Sequence, residues 1–367
     1  MFRRIMFTVK QIRCYAQKYS CEAVGSRSFD TVYRRVLSMG VPEIIKQDVV
    51  PVALKQINQG PGPYCMSFGF DLKPLARSIE KFGLINSPVV TKDREGRVEV
   101  VAGYRRILAL NHLQWEEIPC RDLSHLGYSH EELLLLNLHD NLATRPLNAV
   151  EKGMVLSRLA PYVSRDQILR DFMPLLDLPC HGPTLEMFWG LEKLEQPIKK
   201  SLVNKSISIQ TAKAFVHMDP ESRTTLFKWI AGVGLNANQQ SQFITYIADI
   251  SIKEQKRISQ LFQEKEILDI LNNLNTNKPQ KAKMLLNFLR SRRFPLLTRN
   301  EKRFREKTTG LGLPDGVTIS HPPFFEDPDY RLEIFFKNGK TLREKINALD
   351  KLEGLESLAD PWKEDEV

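Results

Sequence analysis

Two stretches of the sequence combine residue types that can bind a phosphate group, and the first is VVAGYRRILAL. Its β-branched run ends at Gly103, and Arg105 and Arg106 follow at the start of a helical pattern. A helix N-terminus has unpaired backbone N–H groups and a partial positive charge, so these three residues together could clamp a phosphate. From spacing alone, the alternative is a solvated helix face that binds nothing.

The second stretch is DNLATRPLNAVEKG. Asn148, with Glu151 three residues later, predicts a capping box at the start of a helix. The adjacent Asp140 and Asn141 could hold a hard cation such as Mg²⁺ beside a nucleotide phosphate, with Arg145 adding positive charge. The alternative is a capped helical turn without a ligand.

The pattern around these residues predicts an α/β unit followed by helices. DVVPVAL, SPVVTK and RVEVVAG are typical of short strands, and DLKPLARSIEKFG is typical of a helix that ends at Gly83. Gly103 is then a turn from a strand into a helix. From about 129 to 275 the pattern is almost entirely helical, punctuated by proline and short polar breaks.

The sequence therefore predicts an α+β fold. NNLNTNKPQKAK, around 272–283, is interpreted as a linker, and the tail as a strand, an Asn338-Gly339 turn and a closing helix. The tail is equally compatible with a dimerising module and with packing inside the chain. The predicted domains are a poorly ordered basic extension (1–47), a phosphate-binding α/β domain (48–127), a helical domain (128–275), and a basic segment with a small C-terminal β-hairpin and helix unit (276–367).

Charge and composition narrow the class of protein. The 367 residues carry a net charge of +9, and residues 278–307 hold eleven Lys or Arg against two Glu, which is also +9. This predicts a polyanionic partner. No apolar run approaches the roughly 18 residues needed to span a bilayer, so we expect no membrane association. Five cysteines without C-x-x-C spacing indicate neither a disulfide framework nor a zinc site, and they favour a reducing cytoplasm.

Three segments, taken in order, resemble the ParB family. DLKPLARSIEKFGLINSPVV is similar to its helix–glycine–strand segment, VAGYRRILAL to its arginine box, and DNLATRPLNAVEKG to its E-N-x-x-R…L-N-x-x-E segment. The resemblance covers about 48–250. It implies an N-terminal domain related to sulfiredoxin, followed by a domain that contains a helix-turn-helix.

In that family the N-terminal domain is a CTP-binding switch that closes a dimer around DNA. The resemblance therefore implies CTP and Mg²⁺ as ligands, a homodimer, DNA and a partition ATPase as partners, and a nucleoid-associated location in the cytoplasm. By position it assigns the metal to Asp140 and Asn141. It assigns the nucleotide phosphates to Gly103, Tyr104, Arg105, Arg106, Asn141 and Arg145.

By the same resemblance, the helix-turn-helix is SRDQILRDFMPLLDL followed by PTLEMFWGLEKL. The second helix has few side chains that read bases, and Met187, Phe188, Trp189 and Leu191 are interpreted as core. Phe294 and Phe304, which lie among arginines, either stack on nucleic acid or pack on the protein. DNA contacts are predicted for Lys199, Lys200, Lys205, Lys213, Arg292, Arg293, Arg299, Arg303 and Arg305.

Two other functions remain open. One is a phosphate-chemistry enzyme, an NTPase or a nuclease, that uses the same pocket. The other is a nucleotide-free scaffold, which Tyr104 in place of the family's glutamate and Leu108 in place of its third arginine favour. Weak CTPase activity is compatible with the resemblance, whereas no acidic cluster suggests a two-metal nuclease. A sulfiredoxin-type reductase is excluded because Tyr104 stands where that chemistry needs a cysteine.

Overall fold

The computed structural model describes residues 48–327 and 329–358, so the predicted basic extension at 1–47 lies outside the described residues. The chain forms two compact units, one ending at Asp219 and the other beginning at Pro220. This division differs from the boundaries predicted after 127 and after 275. In the second unit, the basic helix Lys278–Arg293 packs against Ala237–Glu254, which the prediction had put in the preceding domain.

The first unit begins with a four-stranded mixed sheet whose strand order is β1-β4-β2-β3. The β1–β4 and β2–β3 pairs are antiparallel and the β2–β4 pair is parallel. Two helices, α1 and α2, contribute to a core that includes Ile79, Val100, Ile107 and Ile118. The elements are β1 Val49–Ala53, α1 Lys73–Phe82, β2 Val89–Lys92, β3 Val98–Ala102, α2 Tyr104–His112 and β4 Glu117–Asp122.

The rest of the first unit is helical, as the sequence predicts. The predicted helix-turn-helix segment contains a π-helical turn, Ile168–Phe172, between α5 and α6. In its second helix the core prediction is confirmed for Phe188 and Leu191, which are buried. The helices are α3 His130–Thr144, α4 Ala149–Leu159, α5 Arg165–Gln167, α6 Met173–Leu175, α7 Gly182–Glu192, α8 Gln196–Val203 and α9 Ile209–Val216.

The second unit is helical and carries one small sheet, in which β5 and β6 pair antiparallel. Short 3₁₀ turns lie at Leu54–Gln56 and Ser124–Leu126 in the first unit and at Pro323–Phe325 and Leu355–Ser357 in the second. The remaining elements are α10 Pro220–Val233, α11 Ala237–Glu254, α12 Ile258–Leu261, α13 Lys265–Asn272, α14 Lys278–Arg293, α15 Pro295–Gly310, β5 Val317–Ser320, β6 Arg331–Ile334 and α16 Gly339–Asp350.

One local prediction for the second unit is wrong in part. The predicted linker at 272–283 is helical from Lys278, because Asn277 and Gln280 form a capping box that starts α14. The strand and the closing helix predicted for the tail are confirmed as β6 and α16. Asn338 separates them and caps α16, its side chain accepting from the Thr341 backbone N–H.

Candidate functional site

Gly103 makes the turn from β3 into α2 that the sequence predicts. Its φ is 93°, in the left-handed region that favours glycine, and a Cβ there would lie 3.2 Å from the Pro88 Cα atom. No side chain caps this end of α2. The first turn of the helix therefore presents backbone N–H groups beside Arg105 and Arg106.

Arg105 and Arg145 converge on the carboxylate of Glu151. Arg105 Nη2 lies 2.9 Å from Glu151 Oε1, and Arg145 Nη1 lies 2.6 Å from Oε2. The same two oxygens accept the backbone N–H groups of Phe68 and Asn148, each at 3.0 Å. The Glu151 side chain is only 1% exposed, so a buried carboxylate neutralises part of the predicted phosphate site.

Ser67 completes this group of residues. Its Oγ accepts from Arg105 Nε at 3.3 Å and from Arg145 Nη2 at 3.1 Å, while the Arg105 guanidinium lies over the Phe70 ring. Burial, and then repulsion from Arg145, lower the pKa of Arg105 below its usual value. We call Glu151, Arg105, Arg145 and Ser67, with the Phe68 and Asn148 backbone donors, the Glu151 network.

Arg106 does not join the Glu151 network. Its Nη1 donates to the backbone oxygens of Asn86 at 2.9 Å and Ser87 at 3.3 Å, and its Nη2 lies 3.7 Å from Asp140 Oδ2. Burial lowers the pKa of Arg106, and the Asp140 carboxylate opposes that shift. The structure thus divides the predicted phosphate residues into a half-buried arginine pair on the buried Glu151 carboxylate and a separate Arg106–Asp140 contact.

Tyr104 fixes the loop that precedes α1. Its hydroxyl donates to the Gln59 backbone oxygen at 3.2 Å, and its ring meets Phe70 edge-on. Partial burial raises the pKa of Tyr104. The Tyr104 hydroxyl and ring, predicted to lie at the phosphate site, therefore contact Gln59 and Phe70 in the structure.

Asp140 and Asn141 offer a small donor set for a cation. The Asp140 side chain is 44% exposed, and Asn141 Nδ2 donates to the Asn137 backbone oxygen at 2.9 Å. No group of three or more His, Cys, Asp or Glu side chains within 48–327 and 329–358 is placed to hold a metal. One carboxylate and one amide oxygen fit a Mg²⁺ ion whose other ligands are phosphate oxygens and water, which is the usual environment of protein-bound Mg²⁺.

Sequence reasoning missed part of this site. Glu151 was recognised as half of a capping box, which the structure confirms with Asn148, and as part of a family-like segment, but not as the partner of Arg105 and Arg145. Ser67 and the Phe68 N–H belong to an irregular segment about 80 residues upstream of Glu151, and no local pattern connects them to it. The one local signal was Arg145, which lies six residues before the capping Glu151 in the sequence.

The predicted DNA-contacting lysines of the first unit differ in exposure. Lys199 is buried, its Nζ donates to the Glu192 backbone oxygen at 2.9 Å, and burial lowers its pKa. Lys200, Lys205 and Lys213 are exposed. Three of these four lysines are therefore placed where a phosphate could reach them.

The arginines of the second unit that were predicted to contact DNA also differ, because some form internal ion pairs and others are exposed. Arg292 Nε lies 2.6 Å from one Glu254 oxygen, and its Nη2 lies 3.0 Å from Glu264 Oε1. Arg293 pairs with Asp249. Arg299 and Arg305 are exposed on α15, whereas Arg303 is half-buried and has a partner of its own.

The phenylalanines of the basic segment pack on the protein. Phe294 meets Tyr246 edge-on, and Phe304 stacks on Tyr330 with ring centroids 5.3 Å apart. His321 also contacts the Phe304 ring edge-on. Of the two alternatives, the structure shows packing on the protein rather than rings free to stack on nucleic acid.

Among the helices within the described ranges, none combines the length and the apolar character that a bilayer span requires. Fold and site together define a class of protein in which a small mixed-sheet α/β domain carries an arginine pair on a buried glutamate and is followed by helices that expose lysine and arginine side chains.

Residues 42–138 match the family model described as the ParB N-terminal domain. The Nucleoid occlusion protein of Bacillus subtilis (strain 168) is 29% identical over 173 residues, which cover 46% of this chain and 58% of that protein. The Nucleoid occlusion protein of Bacillus velezensis is 30% identical over 173 residues, which also cover 46% of this chain and 58% of that protein. The chain thus spans a little over half the length of these relatives. Residues 42–138 are therefore similar to the ParB N-terminal domain.

Two crystal structures of the C-terminally truncated chromosome-partitioning protein ParB from Caulobacter crescentus show a weak structural likeness. The complex with CTP-gamma-S is 18% identical with a TM-score of 0.24, covering 49% of this chain and 97% of that one. The complex with the centromeric parS site is also 18% identical, with a TM-score of 0.29 and coverage of 52% and 96%.

Proposed function

We propose that this chain binds DNA in chromosome or plasmid partition or in nucleoid occlusion, and that CTP with Mg²⁺ gates its N-terminal domain. The ParB N-terminal domain and the relatives named Nucleoid occlusion protein support this proposal. The observation that carries it is the convergence of Arg105 and Arg145 beside the uncapped start of α2.

Phosphate binding at this site requires competition with Glu151. The carboxylate accepts two guanidinium and two backbone hydrogen bonds, the kind of donors that a phosphate oxygen would accept. A triphosphate carries more negative charge than one carboxylate, so it can draw Arg105 and Arg145 away from Glu151. Nucleotide binding would then weaken the hydrogen bonds that join the Ser67–Phe68 segment to the start of α4.

The metal belongs to the same proposal. Asp140 and Asn141 would hold Mg²⁺ together with phosphate oxygens of the bound nucleotide. Arg106 Nη2, 3.7 Å from Asp140 Oδ2, holds that carboxylate in place. When bound, Mg²⁺ would neutralise phosphate charge at the edge of the site.

DNA binding is assigned mainly to the exposed basic residues. Lys200, Lys205 and Lys213 in the first unit, and Arg299 and Arg305 in the second, can reach phosphates without breaking an internal contact. Phosphate contacts of this kind give affinity without sequence readout. Lys199, Arg292, Arg293 and Arg303 would have to exchange an existing partner, so we expect them to contribute less. A homodimer, a partition ATPase as partner and a nucleoid-associated location complete the proposal.

The competing function is a ParB-fold DNA binder that has lost its nucleotide switch. Glu151 already satisfies the arginine pair, and the Tyr104 hydroxyl is bonded to the Gln59 backbone. Fluorescence anisotropy of a labelled duplex separates the two functions, measured with Mg²⁺ alone, with CTP and with ATP. A CTP-specific change in affinity or in dissociation rate supports gating, whereas identical curves in all three conditions favour the competing function. Absence of DNA binding in every condition would contradict both.

A further inference from the structure

An open cavity of about 380 Å³ lies in the first unit, and its lining includes Lys152, the residue after Glu151. Its volume falls within the roughly 300–1,000 Å³ of small-molecule sites. Six of its nine lining residues present only hydrocarbon: Leu147, Ala149, Phe188, Leu202, Ile207 and Ile209. The other three are Lys152, Lys205 and Ser208.

Lys152 and Lys205 give this apolar cavity a positive charge. Within 48–327 and 329–358, neither ammonium group forms a hydrogen bond or an ion pair. Burial lowers the pKa of Lys152, and the more distant Asp177 opposes that shift only in part. Lys205 adopts a left-handed backbone with φ 62°, which is uncommon for a residue other than glycine. Because Lys152 is partly buried, an anionic ligand would stabilise its ammonium group, whereas Lys205 is exposed and adds positive charge.

We propose that this cavity binds a small organic anion with a hydrocarbon body and one acidic head group, a carboxylate or a phosphate. The body packs against Phe188, Leu202 and Ile207, and the head group lies between Lys152 and Lys205. A DNA backbone supplies the anion but no hydrocarbon for the walls, so the occupant is a small molecule.

The site is separate from the candidate nucleotide site. Lys152 and Glu151 are consecutive residues of α4, and consecutive helical side chains point about 100° apart. Glu151 faces Arg105 and Arg145, whereas Lys152 lines the cavity. Failure of CTP binding would therefore leave this inference intact. Failure of the anionic probe to bind would likewise leave the proposed nucleotide site intact.

Calorimetric titration of the full chain with decanoate tests the inference. Decyl phosphate is the second probe and distinguishes the two head groups, while decan-1-ol has the chain without the charge and inorganic phosphate has the charge without the chain. We expect one of the two anionic probes to bind at least tenfold more tightly than decan-1-ol or inorganic phosphate. Equal binding of decan-1-ol, or no binding of either anionic probe, would overturn the proposal.

Variants locate the bound probe. Lys152→Met with Lys205→Met should weaken binding at least tenfold, whereas Lys228→Met with Lys253→Met, a matched loss of two exposed lysines, should leave it within twofold. Ile209→Trp fills the cavity from a position that is 38% exposed, so it should also weaken binding without preventing folding. Melting curves by circular dichroism check that each variant is folded. Retained affinity in both cavity variants would contradict the assignment.

Discussion

Glu151 is the residue on which the candidate site depends. It is the buried counter-charge of two arginines and also the N3 residue of the capping box that starts α4. Removing one member of a buried ion pair leaves the other charge uncompensated, which typically costs about 3–5 kcal/mol. An exposed pair is usually worth less than about 1 kcal/mol, because water screens it.

Glu151→Gln should therefore destabilise the protein strongly, by about 3 kcal/mol or more in the free energy of unfolding. The matched control is Glu186→Gln, which removes the carboxylate of the exposed Arg165–Glu186 pair and should cost less than about 1 kcal/mol. Urea denaturation followed by circular dichroism measures both. Equal effects of the two substitutions would show that the Glu151 network does not hold the first unit together.

A second residue-scale prediction concerns acid. Hydrogen bonds from Arg292 lower the pKa of Glu254 from about 4.5 to about 2. Between these values the unfolded chain binds a proton that the folded chain does not, so this contribution to stability is present above about pH 4.5 and is lost as the pH falls towards 2. Arg292→Met should reduce the loss of stability between pH 5 and pH 3. The midpoints of urea denaturation at pH 5 and pH 3 test this. If the two midpoints differ as much in the variant as in the unmodified chain, the prediction is contradicted.

At the scale of elements, close helix contacts depend on glycine. A Cβ at Gly153 would lie 2.5 Å from the Phe188 backbone oxygen, so α4 and α7 can approach this closely only without a side chain there. Gly232, near the end of α10, has nothing within 4 Å of its Cβ position. An alanine side chain would therefore clash with backbone at position 153 and have open space at position 232.

Gly153→Ala should destabilise the protein by about 1–3 kcal/mol, because neither helix backbone can yield cheaply. Gly232→Ala should be neutral or stabilising by up to about 1 kcal/mol, because alanine has the higher helix propensity. Thermal melts of both variants test the contact. A stabilising Gly153→Ala would mean that α4 and α7 do not pack as described.

Local patterns predicted the elements well where side chains alternate or cap. The three strands around Val50, Val90 and Val100, the end of α1 at Gly83 and the capping box at Asn148 all follow from neighbouring residues. The strand Glu117–Asp122 was missed because EIPCRD has a proline and a charge at each end, and only its pairing with both β1 and β2 makes it a strand.

The site was predicted less completely than the fold. Arg105 and Arg145 were recognised from the order of the three family-like segments, but their shared partner depends on bringing residues 67, 105, 145 and 151 together. That arrangement is a product of tertiary packing, which sequence spacing does not encode. For the same reason the sequence could not show that Lys199 and Arg292 would be bonded internally.

At the scale of the whole molecule, the excess positive charge predicts strong salt dependence. Each phosphate contacted on duplex DNA contributes about −0.9 to the slope of log K against log salt, so six contacts give about −5. Arg299, Lys302 and Arg305 are exposed on α15. Replacing all three by glutamine should reduce the magnitude of the slope by about 2.7 if each contacts a phosphate.

The matched control removes three exposed lysines elsewhere in the second unit, Lys228, Lys253 and Lys265. Its slope should stay within about one of the unmodified chain. Anisotropy titrations from low to moderate salt measure both variants. An unchanged slope in the α15 variant would remove this helix from the DNA interface.

The central claim is that the arginine pair binds a nucleotide, and calorimetric titration of CTP tests it most directly. CTP and, for comparison, ATP are titrated with Mg²⁺ into the full chain, with and without duplex DNA. The variants are Arg105→Ala and Arg97→Ala, the latter removing an exposed arginine of the same domain that pairs with Asp93. We expect selective CTP binding that Arg105→Ala weakens at least tenfold and Arg97→Ala leaves unchanged. No CTP binding to the unmodified chain in any condition would contradict the claim and favour the competing function, in which the nucleotide switch is lost.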